Sequence, residues 1–209
     1  MDGPTLQQRI YAGYRKAAFH AGYQYEQFRS ASPLNPIDPA NQVGFVHCMF
    51  SAEADFSVPT KYKIPTRYLY ADGRELSQRD ILVGSYGTFF VGDTQPELPM
   101  QAVRCNDILS IDRPQYEGTV VVPVPIASNM PCFRQLKRID QKPVPSSYGA
   151  STAATPIGEW FVYLPVVWTD LRQGDIVTDE GSRKYTISTI DPTEIGTVLV
   201  IRQSDLQTT

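Results

Sequence analysis

His47 and Cys48 bring an imidazole and a thiol together in the chain, the two groups that make a nucleophilic thiolate pair when they touch. Neighbouring residues of a strand point to opposite faces, however, so this pair would not meet, and two packed structural residues are the expectation. Asp93 and Glu97 are the second candidates, as paired carboxylates for glycoside cleavage, although nothing in the sequence sets them across a cleft. Asp175, Asp179 and Glu180 have the composition of a calcium loop, but Asp-Glu-Gly in a hairpin turn accounts for them without a metal. With two histidines and three cysteines (Cys48, Cys105, Cys132) lacking CxxC spacing, the chain is poor in zinc ligands and fits no disulfide framework. No GxSxG elbow, HExxH helix, Walker loop or strand-linked GxGxxG occurs. The expectation is therefore a protein that is not an enzyme, with no catalytic, cofactor-binding or metal-binding residues.

The elements that would carry such groups read mainly as β-structure. Among 209 residues, 17 Pro and 14 Gly disfavour long helices, while 42% hydrophobic residues are enough for a core at this length. Only the first segment has a helical stripe, with Leu6, Ile10, Gly13 or Tyr14, Ala17 or Ala18, and Ala21 recurring at three-to-four spacing. Asp2 would cap it, Pro4 suits its first turn and Gly22 its end. Small residues Gly13, Ala17 and Ala21 suggest a face that another element approaches closely. Pro33, Pro36 and Pro39 then favour an extended strap lying along the body.

Two stretches share one grammar. Asp80-Ile81 and Asp175-Ile176 each open a short strand, a Gly-containing turn at Ser85–Gly87 or Asp179–Gly181, an aromatic strand, an Asp near a Pro, and a strand ending in Arg. Each predicts a strand–hairpin–strand unit, and together they suggest an internal repeat. The expected fold is mainly β, made of small β-barrel or sandwich-like modules with an N-terminal α-helix and long extended loops. Its expected divisions are a helix and exit strap at 1–30, a β module at 31–139, a long loop or intersubunit arm at 140–158, and a C-terminal barrel-like module at 159–209. Trp160, Phe161, Tyr163 and Trp168 give the strand near 159–168 two hydrophobic faces, which predicts burial on both, either by the core or by another subunit, and makes these four the candidate intersubunit contacts.

Charge is close to balanced, 19 Lys+Arg against 22 Asp+Glu, so the chain would not coat nucleic acid by bulk charge. Local basic sets remain: Arg9, Arg15 and Lys16 on the helix, and Arg134, Lys137 and Arg138 before the polar loop. A solvated face is the first reading of each, and a contact with DNA or an acidic partner the second. No signal peptide or apolar run long enough to span a bilayer is evident, which predicts a soluble protein folded in the cytoplasm.

Three stretches carry a resemblance. Leu6-Gln-Gln-Arg-Ile-Tyr-Ala-Gly-Tyr-Arg-Lys-Ala-Ala18 with Tyr25 and Phe28-Arg29, and Ile81–Asp93 with Pro96–Pro99, resemble neck-type virion proteins of tailed bacteriophages. Leu171–Ile187 resembles the β-barrel of head-completion proteins of the stopper or connector type. The resemblance implies a homo-oligomeric ring at the head-to-tail junction of the virion, around the channel through which DNA leaves. Its implied partners are further copies of itself, portal or adaptor proteins, tail or sheath-terminator proteins, and exiting DNA in transient contact, with no membrane. A tail or baseplate β-protein that binds a host receptor or glycan is the alternative, since 12 Tyr and 2 Trp could stack on sugars.

Overall fold

The computed structural model describes residues 3–51, 66–94, 97–137, 158–165, 170–193 and 196–203. Helix α1 (Gly3–Ala21) comes first. Six strands follow: β1 (Tyr23–Phe28), β2 (Gln42–Ser51), β3 (Thr66–Tyr70), β4 (Ile81–Gly84), β5 (Gly87–Asp93) and β6 (Met100–Arg104). Six more complete the chain: β7 (Asp107–Glu117), β8 (Val120–Lys137), β9 (Glu159–Leu164), β10 (Ile176–Asp179), β11 (Lys184–Pro192) and β12 (Thr197–Gln203). Each set closes into its own barrel, β1-β2-β3-β6-β5-β4 and β7-β8-β9-β12-β11-β10. Closure pairs the strand edges that an open sheet would leave free to aggregate. The fold is thus mainly β with one N-terminal helix.

The two barrels have the same topology, strand for strand. The two units expected to be alike occupy equivalent places, β4-β5-β6 in the first barrel and β10-β11-β12 in the second. Their turns differ in one detail. The first has its left-handed residue at Gly87, whereas the second has it at Ser182 rather than at the expected Gly181. The expected boundaries also differ from those found. The barrels meet at Cys105–Asn106, between β6 and β7, and β8 pairs with β9 across the polar stretch between them. A module ending at residue 139 would cut that ladder, because β7 and β8 belong with the C-terminal strands. Of the expected loop or arm at 140–158, residues 140–157 lie outside the described residues, as does Arg138.

Alternation packs each barrel. Tyr185 and Ile187 of β11, Leu199 and Ile201 of β12, and Val162 and Leu164 of β9 all point into the second core. Tyr25, Cys48, Leu69, Leu82 and Met100 do the same in the first. A third cluster joins the barrels. Phe28, Ile81, Phe90 and Val103 are cross-strand neighbours on β1, β4, β5 and β6, and form one row on the outside of the first barrel. Phe133 and Tyr163, neighbours on β8 and β9, cover that row from the second barrel. Tyr163, on the second hydrophobic face of β9, is therefore partly covered from within the chain. Asn106 stitches the same seam, donating from Nδ2 to the Arg134 carbonyl at 2.9 Å and accepting the Arg134 N–H at 2.7 Å. The proline strap crosses it as well, since Asn35 N–H donates to the Ser128 carbonyl at 2.9 Å and Ile37 packs on the third cluster.

Helix α1 lies against β2 and β3. Its inward face is not the expected small-residue stripe. Ala18 is buried, Tyr14 meets Tyr70 edge-on at 5.2 Å, and Gly13 faces open space. Gly22 ends the helix, donating its N–H to the Ala18 carbonyl at 2.8 Å. A Cβ on Gly22 would sit 2.4 Å from the Cys48 carbonyl oxygen and 2.5 Å from that of Ala18. Both are backbone atoms with little freedom to yield. Gly22→Ala should therefore cost about 1–3 kcal/mol, read as a lower midpoint of urea unfolding, because the helix end must lift from β2.

Candidate functional site

Each barrel carries an equivalent ion pair at the entry to its fourth strand, with the aspartate buried in both. Asp80 accepts from Arg29 Nε and one terminal nitrogen, both at 2.7 Å, and from the Ser77 N–H at 2.7 Å. Asp175 accepts from Arg113 at 2.9 and 3.0 Å and from the Arg172 N–H at 2.9 Å. The register makes the two sites equivalent, since Phe28 faces Ile81 one step from the first pair and Asp112 faces Ile176 one step from the second. Around them run Leu76-Ser-Gln-Arg-Asp-Ile81 and Leu171-Arg-Gln-Gly-Asp-Ile176, with both leucines buried. Arg79 and Gly174 hold equivalent left-handed conformations, φ 76° and 92°. They donate their N–H groups to Val91 and Ile187 respectively. An L residue pays roughly 1–2 kcal/mol there, and glycine pays less. Arg79→Gly should thus raise stability by about 0.5–1 kcal/mol, and Gly174→Ala should lower it by about 1 kcal/mol, as opposite shifts in thermal midpoint.

At the opposite end of the barrels the equivalence breaks down. In the second barrel the mouth is plugged by Arg134. Its guanidinium lies 2.7 Å from Asp107 and 2.9 Å from Asp179, and sits over the rings of Trp160 at 5.0 Å and Tyr185 at 5.3 Å. Burial alone would raise the Asp179 pKa, but the Arg183 N–H, Arg134 and the Tyr185 hydroxyl together hold it below the usual carboxylate range. Asp107 is close to Arg134 without an aligned hydrogen bond, and burial leaves its pKa raised.

In the first barrel the same positions hold other residues. Phe50 stands where Arg134 does and Arg67 where Trp160 does, by their partners Leu69 and Val162, Ala102 and Ile201. Tyr23 replaces Asp107 opposite the equivalent cysteines Cys48 and Cys132, and Gly84 replaces Asp179. The mouth is open, a cavity of about 290 Å³ between Tyr23, Tyr25, Phe50, Tyr86, Arg67 and Arg104. Phe50 stacks on Phe89 at 3.9 Å, and Tyr86 donates its hydroxyl to Tyr23 at 2.8 Å. Tyr25 is buried with its hydroxyl unbonded among the described residues, and burial pushes its pKa up to about 12, so it stays a proton donor at neutral pH.

A third feature lies beyond the second barrel. β7 pairs with β10 only as far as Asp112, and β8 with β9 only from Phe133. The remaining β7–β8 hairpin, paired from Arg113–Val124 to Glu117–Val120, projects outward. Its tip exposes Tyr116 (77%), Val120 (62%) and Val121 (50%). Pro114, Pro123 and Pro125 lack backbone donors, which disfavours adding another strand to either edge. The faces of this arm are available; its edges are protected. The alternating Val-Pro run was a signal for this arm.

The candidate residues are accordingly separated. His47 lies beside Phe19 at 5.1 Å while Cys48 is fully buried, its pKa raised by burial to about 12, so the two do not form a thiolate pair. Asp93 and Glu97 line different depressions, one with Tyr68 and Tyr70 and the other with Gln7 and Tyr11. Asp175 and Asp179 face arginines, and among the described residues no three His, Cys, Asp or Glu side chains gather as metal ligands. Of the basic residues, Arg134 is engaged inside the second mouth. Lys137 pairs with Glu159 at 2.8 Å and lies over Phe161. That lysine, with Arg202, holds the Glu159 pKa down, a stabilising contribution present at neutral pH and lost as pH falls through the lowered value. Arg15 approaches Asp72 at 3.7 Å, and Arg9 and Lys16 stand on the exposed side of α1. Trp160 and Tyr163 pack within the chain, and Trp168 lies outside the described residues. Among the described residues no helix is long and apolar enough to cross a membrane.

Comparison with protein-family models, with curated proteins and with solved structures found no match to this chain.

Proposed function

We propose that this chain is a structural subunit of a ring at the head-to-tail junction of a tailed bacteriophage, in the neck, collar or connector. In this role it surrounds the DNA exit channel and joins the portal-side complex to the tail. The resemblance of the opening helix, the Ile81–Asp93 stretch and the Leu171–Ile187 stretch to neck and head-completion proteins supports it. The observation that carries it is mechanical: two barrels locked by a buried seam, with an apolar hairpin reaching beyond the body. A ring subunit needs a rigid body and a projecting patch that meets a different patch on its neighbour, since such head-to-tail contacts close when the rotation allows. Net acidity suits a channel past which DNA slides, because binding to DNA strengthens with each phosphate neutralised. Antibody labelling of virions, imaged by negative-stain electron microscopy, tests this. Label at the vertex where head meets tail is expected. Label confined to the distal tail would overturn it in favour of a receptor- or glycan-binding role.

A further inference from the structure

The mouths of the two barrels pose a chemical asymmetry. The second is closed by an arginine with two carboxylates of its own chain, Asp107 and Asp179. The first has the arginines without the acids, because Tyr23 and Gly84 occupy those places. Among the described residues, neither the Arg67 nor the Arg104 side chain has a hydrogen bond or ion pair. Between them the buried Tyr25 hydroxyl has a proton and, among the described residues, no acceptor. An unmet buried donor is destabilising, and an entering acceptor would satisfy it. The aromatic rings supply an apolar wall for whatever carries that acceptor. The mouth therefore suits a carboxylate flanked by an apolar or aromatic side chain.

The chain displays such a pair. At the tip of the β7–β8 hairpin, Tyr116 and Glu117 are adjacent and exposed, just before the left-handed Gly118. We propose that the Tyr116–Glu117 tip of one copy docks into the first-barrel mouth of the next, with Glu117 supplying the carboxylate that this mouth lacks. Tip and mouth are different surfaces, so the contact is heterologous and propagates from copy to copy. The inference rests on the ring reading and names its contact.

Charge reversal tests it in solution by sedimentation velocity over a concentration series. Wild-type chain is expected to self-associate, and Glu117→Lys and Arg67→Glu should each weaken association at least tenfold. Each variant keeps one wild-type surface, so in an equimolar mixture every tip meets a mouth of opposite sign. The mixture should therefore associate as the wild type does. Circular dichroism of the separate variants shows that each is folded. The contact is overturned if either variant associates like wild type, if the mixture stays dispersed, or if wild type remains monomeric throughout. Virion labelling reports on the ring position independently, so junction label with unaltered association of Glu117→Lys would remove this contact and leave the ring.

Discussion

Replacing Asp175 by alanine should lower the unfolding free energy by about 3–5 kcal/mol, the range for removing one member of a buried ion pair. The Asp175 side chain is 2% exposed and its partner Arg113 only 13%. Without the carboxylate, the guanidinium stays in a site water scarcely reaches with only the Asp170 carbonyl and the exposed Asp170 carboxylate, 3.6 Å away, as partners, and the Arg172 N–H loses its acceptor. The equivalent Asp80→Ala should cost less, about 2–3 kcal/mol, although Asp80 accepts more hydrogen bonds. Arg29 is 45% exposed, so water can solvate it once the acid is gone, and Gln27 keeps the Glu75 carbonyl as an acceptor at 2.9 Å. The ranking follows from the cation left behind rather than from the number of bonds broken. Urea unfolding of the two variants measures it. The double replacement Arg113→Met with Asp175→Leu should recover much of the loss, because no unpaired charge then stays buried. Equal losses for the two alanine variants, or no recovery in the double variant, would count against this account.

The equivalence of those two aspartates was partly legible in the sequence. Asp80-Ile81 and Asp175-Ile176 stand out because a strand entry with a buried acid demands the same residues twice. The preceding Leu76-x-Gln78 and Leu171-x-Gln173 extend the likeness, and the leucines seal the underside of each turn. Reading from the strand starts alone missed them. The first three strands of each barrel were harder, for a physical reason. Their equivalent positions carry unlike chemistry, Phe50 with Arg134 and Tyr23 with Asp107, because one mouth is closed from within and the other is open. Only strand register brings Cys48 and Cys132 into correspondence. The two-sided apolar pattern of β9 was legible as burial, but the partial cover over Tyr163 comes from the first barrel of the same chain. Periodicity reports that a face is covered and carries no information on which chain covers it. Basic residues were misleading in the same way: Arg134 precedes a polar stretch in sequence yet folds into a mouth whose acids come from β7 and β10.

The seam between the barrels sets how the molecule responds to force or denaturant, and Phe90 is its most informative residue. Phe90 is 1% exposed and lies between Ile81 and Val103 in the row that Phe133 and Tyr163 cover. Phe90→Ala should cost about 3–5 kcal/mol, because it removes a buried ring and leaves a void that flanking strands cannot close. Strand β5 is held by ladders on both sides, so its backbone cannot collapse into the space. The loss should fall on the coupling between barrels more than on either core. The first-barrel interior is built from the opposite face of β5, through Phe89 and Val91. Calorimetry separates the two effects. Wild type should unfold in one transition, since the hydrophobic seam, the Asn106 stitch and the strap join the barrels. Phe90→Ala should resolve into two transitions, with the second barrel, whose own core is untouched, melting later. Val91→Ala, on the inward face of the same strand, should instead shift a single transition downward. A single lowered transition for Phe90→Ala, indistinguishable from that of Val91→Ala, would show that the barrels stay coupled without this seam. Coupling of this kind would suit the proposed ring role, since a pull on the hairpin arm of the second barrel then reaches the first.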